Sequence, residues 1–147
     1  MKTESKKRAL SPIRLPKYNF TLRAPEFQKE GEEFIIWFFE GIIEKVPDYV
    51  ECLMYLGNAY TETGRYEKGL LIDLKLCRLQ KDDPFVHYNL ACSYALLKNT
   101  EEAFIALEKA IDLGYNDIYY IKNDKDLAVL RKDLRFKTLL KKISKGA

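Results

Sequence analysis

Apolar positions in the middle of the chain recur at helical spacing. Leu53, Leu56 and Tyr60 stand at i, i+3 and i+7, so they share one face of an α-helix. The pattern predicts helices over 50–62, 66–79, 84–97 and 101–113, with Gly64-Arg65 and Lys98-Asn99 as turns. Asp82-Asp83-Pro84 supplies an N-cap and a proline at the first helical position, and Thr100 is read as an N-cap ahead of Glu101 and Glu102. Upstream, Ala24-Pro25-Glu26 opens a helix running to about Val46. Its stretch from Phe34 to Ile43 is apolar nearly all round, which predicts burial on more than one side, with Trp37 as a buried capping residue. No useful β-alternation occurs, so the fold class is all-α. Residues 1–23 differ in kind. Pro12, Pro16, scattered bases and no periodicity describe a basic extended arm.

The helical segments repeat. Laying residues 50–83 over 84–117 sets Leu56 on Leu90, Gly57 on Ala91, Tyr60 on Tyr94, Gly69 on Ala103, Leu76 on Ala110 and Asp83 on Asp117. Small residues at Gly57, Gly69, Ala91 and Ala103 let paired helices approach closely. Leu53-x-x-Leu56-Gly57-x-x-Tyr60 and His87-x-x-Leu90-Ala91-x-x-Tyr94 resemble the tetratricopeptide repeat (TPR), whose 34-residue pattern reads W-x2-L-G-x2-Y, then a small residue and an aromatic. Asp73 departs from it, standing where Phe or Tyr is usual. The run from Asp124 through Asp126, Leu127, Leu130, Arg131, Asp133, Arg135 and Phe136 to Leu140 resembles the closing unit of short bacterial TPR arrays, with Leu134 in its proline place.

The resemblance implies a TPR-like right-handed stack of antiparallel helix pairs with capping helices at both ends. Residues 24–147 then form one domain: a capping helix at 24–46, repeats at 50–83 and 84–117, and closing helices at 118–145. It also implies a concave groove lined by the first helix of each repeat. Carried over by position, the groove residues are Glu51, Met54, Tyr55, Asn58, Thr61 and Glu62, then Phe85, Tyr88, Asn89, Cys92, Ala95 and Leu96. Asn58 and Asn89 carry both donors and acceptors for a peptide backbone. The clamp that TPR domains use for chaperone carboxylate tails is incomplete, because Met54 replaces its first lysine.

Composition narrows the chemistry. The 147 residues suit one domain, and 10 Tyr, 8 Phe and 1 Trp argue for a packed core. No apolar run spans a bilayer, and the basic start lacks an apolar segment behind it, so no integral membrane contact and a cytoplasmic location are expected. Cys52, Cys77 and Cys92 with a lone His87 make neither a zinc site nor a disulfide framework; no metal and no cofactor are expected. His87 sits at the large inter-helix position, which favours a packed, locally bonded imidazole over a general base. With no phosphate loop and no nucleophile motif, the chain is read as non-enzymatic.

Charge is segregated. Residues 1–25 and 131–147 each carry seven bases and one acid, +6 apiece, while 26–130 carry eleven bases and twenty acids, −9. The sequence therefore reads as a scaffold or adaptor that binds another protein or peptide segment in its groove. Self-association as a homodimer is one alternative. Nucleic-acid or anionic-surface binding through the basic ends is the other, and nothing beyond charge supports it. The arm is expected to lie on the helical array or over the Phe34–Ile43 helix.

Overall fold

A computed structural model describes residues 25–146; the arm and every expectation placed on it lie outside the described residues. The order is α1 (Pro25–Lys45), α2 (Val50–Glu62), α3 (Tyr66–Leu79), α4 (Pro84–Leu96), α5 (Thr100–Asp112), α6 (Ile118–Asn123), a 3-10 helix (Lys125–Leu130) and α7 (Leu134–Gly146). No strand occurs among the described residues. None of these helices is long and apolar enough to cross a membrane.

The turns explain the pairing. Three residues separate α2 from α3 and three separate α4 from α5, which folds each pair back on itself. Both turns need a residue at positive φ, and Gly64 (74°) and Lys98 (62°) supply it 34 positions apart. Asp83 caps α4, its Oδ1 accepting from the Phe85 and Val86 amides at 2.8 and 3.4 Å, with Pro84 opening the helix. The cap of α5 differs from expectation. Asn99 holds that position without a side-chain bond, and Thr100 is already helical.

Close approach inside the first pair rests on its glycines. A Cβ on Gly57 would lie 3.2 Å from Ile72 Cγ2, and one on Gly69 would lie 3.1 Å from Thr61 Oγ1. Leu53, Leu56, Tyr60 and Leu76 are buried around them, as are Leu90, Ala91, Ala103, Leu107 and Ala110 in the second pair. His87 and Tyr94 are half-buried.

Aspartates shape the C-terminal part. Asp117, Asp124 and Asp133 accept from the amides of Tyr120, Asp126 and Arg135 at 2.8, 3.0 and 2.9 Å, starting α6, the 3-10 helix and α7 in turn. Ile121, Leu127, Leu130, Phe136, Leu139 and Ile143 then join the core of α4 and α5. At the other end, α1 packs on α2 through Ile36, with Phe39 and Ile43 partly buried beside it. Tyr60 Oη donates to Glu40 at 2.5 Å, and Arg65 pairs with Glu33.

The expected all-round burial of α1 does not hold. Trp37 is 68% exposed, and Phe34, Ile35 and Phe38 are also exposed among the described residues. One neighbouring helix covers one side of a terminal helix, and the described residues supply no second cover.

Candidate functional site

Helices α2 and α4 both line a concavity of about 550 Å³, to which the segment from Tyr115 to Asp126 also contributes. Of the groove residues read from the repeat register, Asn58, Thr61, Glu62, Phe85, Tyr88, Asn89 and Cys92 line it. Glu51, Met54, Tyr55 and Leu96 do not. Tyr55 lies outside it, stacked on Phe39 of α1 at 5.4 Å with 8° between the rings, and Ala95 is buried. The concavity also takes in Gly57, Asp73, Ser93, Tyr115, Asp117, Tyr120, Asp124 and Asp126, none of which sequence reasoning assigned to it. One signal was available: Asp126 stands 34 residues after Cys92, itself 34 after Asn58.

An aromatic cluster forms one wall. Tyr88 and Tyr115 stack at 4.2 Å and 2°, with Phe85 edge-on to Tyr115 at 5.4 Å and Tyr120 tilted on Tyr88 at 5.9 Å. Tyr88 Oη donates to Asp124 Oδ2 at 2.6 Å, and Cys92 Sγ reaches the same oxygen at 3.7 Å. Burial is the main reason the Tyr88 and Cys92 protons are held more tightly than usual, with the Asp124 charge acting in the same direction. Neither side chain is an activated nucleophile.

The floor holds a buried acid. Asp73, 7% exposed, accepts from Ser93 Oγ at 2.5 Å. Burial pushes its carboxyl up to about 6, and the Ser93 hydrogen bond opposes that rise. Asn58 and Asn89 make no side-chain hydrogen bond among the described residues, although both face the concavity. Their amides therefore keep donors and acceptors for a ligand.

His87 is engaged elsewhere. Its Nε2 lies 2.8 Å from the Lys81 carbonyl, where it donates, and its Nδ1 is 3.8 Å from Cys77 Sγ. Burial and the nearby Asp73 and Asp83 charges hold the Cys77 thiol up at about 11, far from thiolate reactivity. Among the described residues no group of His, Cys, Asp or Glu is placed to hold a metal ion.

Comparison with known proteins agrees with this architecture. Residues 86–113, covering most of α4 and all of α5, match the family described as Tetratricopeptide repeat. The chain is 32% identical over 95 residues to a chloroplastic protein of Arabidopsis thaliana. That alignment takes in 61% of this chain and 28% of the relative, so the chain spans under a third of the relative it matches. The fold is an all-α, TPR-like helical stack, and its second helix pair is the part that matches the tetratricopeptide repeat family.

Proposed function

We propose that this chain is a non-enzymatic interaction module, an adaptor or small assembly subunit, that docks a segment of a partner protein in the groove between α2, α4 and the Tyr115–Asp126 segment. The observation that carries this reading is the pair of groove-facing amides, Asn58 and Asn89, left without intramolecular side-chain bonds among the described residues. Beside them, Phe85 (63% exposed) and Tyr120 (52%) offer rigid apolar area at low entropic cost. Backbone contacts from the amides and area from the rings are what an extended segment needs. The match to a repeat that serves protein–protein contact in general supports the same reading.

The test is an affinity capture with the intact protein against one carrying Asn58→Ala and Asn89→Ala. The amide losses should weaken capture of specific partners about tenfold or more, with little change in melting temperature. Partners retained equally by both proteins would move the interface off the groove. Self-association is the second reading, favoured by the exposed Phe34, Trp37 and Phe38 side of α1. A terminal helix with an open aromatic side is a surface a second copy can cover.

A further inference from the structure

The groove has one sign of charge. Glu62, Asp73, Asp117, Asp124 and Asp126 line it, and among the described residues no lysine or arginine does. Ion pairs among the described residues lie elsewhere. Arg65, Lys68 and Lys75 meet Glu33, Glu40 and Asp48, tying α1 and the loop after it to the region of α3. Arg135 and Lys142 meet Glu101, Asp133, Glu108 and Asp112 around α5 and α7. The five groove carboxylates have no basic partner among the described residues.

Two further observations point outward from that acidity. Asp73 is buried with a single side-chain hydrogen bond among the described residues, from Ser93, although a carboxylate has about four acceptor positions. Tyr120 and Phe85, both exposed, flank the stacked Tyr88–Tyr115 pair and line the groove with Asp117 and Asp124. Open aromatic faces next to carboxylates suit an ammonium or guanidinium, through cation–π attraction and charge-assisted hydrogen bonds together. The field is felt by the groove's own groups. The Asp124 charge is the main reason the Tyr120 hydroxyl holds its proton more tightly, and burial followed by Asp124 raises the Asp126 carboxyl.

We infer that the groove's occupant is an extended peptide segment bearing lysine or arginine, whose cations reach Asp117, Asp124 and Asp126 while its apolar atoms lie on Phe85 and Tyr120. This rests on the groove reading above and adds the partner's chemistry to it. Acidic tails and phosphate-bearing ligands are repelled by the same field. Complementary charge also steers encounter, so association is fast at low salt and slows as salt screens it.

The experiment uses the intact protein and fluorescein-labelled nonapeptides that share one proline and two tyrosines. They differ only at two positions, occupied by Lys, Gln or Glu. Fluorescence anisotropy should show the Lys peptide binding about tenfold or more tighter than the Gln peptide, and weakening as salt rises. The Glu peptide should not bind. Asp117→Asn with Asp126→Asn should abolish the Lys preference without altering the melting temperature, because Asn caps α6 as well as Asp does. Equal binding of the Lys and Gln peptides, lost in Asn58→Ala with Asn89→Ala, overturns the cationic partner and leaves the groove reading standing. A Lys preference that survives the Asp117/Asp126 variant also overturns it. Failure of every peptide to bind sinks both.

Discussion

Asp73 is the residue at which stability and the groove meet. It projects from α3 to the place where the helices of the first pair come closest; a Cβ on Gly57 would lie 3.5 Å from Asp73 Oδ1. An apolar side chain would pack there with no ionisable group to desolvate. Burial instead raises the carboxyl from 3.8 to about 6, and the Ser93 hydrogen bond offsets only part of that. The folded chain thus binds a proton that the unfolded chain releases between about pH 4 and pH 6. Stability is therefore greatest below that window, falls as pH rises through it and stays at the lower level above it. A rise of that size corresponds to about 3 kcal/mol. Asp73→Asn keeps an acceptor for Ser93 and removes the titration. We expect the variant to match the parent at pH 4, and to be about 1–3 kcal/mol more stable at pH 7. Urea unfolding of both proteins at pH 4, 5, 6 and 7 measures the difference. Parallel curves across that range would show that Asp73 is charged throughout.

At the scale of elements, what was legible in the sequence followed from periodicity. Leu53, Leu56, Gly57 and Tyr60 repeat as His87, Leu90, Ala91 and Tyr94, and that spacing gives the bounds of α2 to α5 to within a residue. The same register reaches Asn58, Thr61, Glu62, Phe85, Tyr88, Asn89 and Cys92 in the concavity, while Glu51, Met54, Tyr55, Ala95 and Leu96 fall outside its lining. It fails where helices stop being regular. Tyr115, Asp117, Tyr120 and Asp124 come from a turn, a six-residue helix and its exit into a 3-10 helix, where helical spacing no longer says which way a side chain points. Asp73 and Ser93 were missed for another reason: a polar residue on a buried face is visible only once its hydrogen-bond partner is. Trp37 shows the converse. An all-apolar stretch indicates how much surface needs covering, while the number of helices that cover it is set by tertiary arrangement. Neighbours on α1 should accordingly differ in effect. Ile36→Ala removes a side chain 2% exposed against Leu56 and Tyr60 and should cost about 2–5 kcal/mol. Trp37→Ala should change stability by no more than about 0.5 kcal/mol. Thermal melts at two protein concentrations test both. A midpoint that rises with concentration in the parent and not in Trp37→Ala would place an interface between copies on this side of α1.

Over the whole molecule, a net charge of +3 conceals an acidic body between two basic ends, and the structure shows how much of the C-terminal base is already committed. Arg135 is held by Glu101 and Asp133 and lies over the Phe104 ring at 4.2 Å. Lys142 is held by Asp112 and Glu108, and Arg131 donates to the Asp124 carbonyl. Arg135 and Lys142 fasten α7 onto α5, and Arg131 bonds back to the start of its own 3-10 helix, which leaves Lys132, Lys137 and Lys141 exposed on this end. The groove carboxylates, which have no basic partner among the described residues, repel a polyanion. Counterion release turns that count into a measurement, since the slope of log affinity against log salt reports the phosphates neutralised. Three lysines on single-stranded nucleic acid give a slope of about −2, and so few released counterions do not sustain binding near physiological ionic strength of about 0.15 M. A labelled 20-nucleotide single strand titrated with the intact protein should therefore bind weakly at low salt and not at all at about 0.15 M. A slope several times steeper would mean that the bases of residues 1–24 act together with α7, and the basic ends would then be the interface in place of the groove.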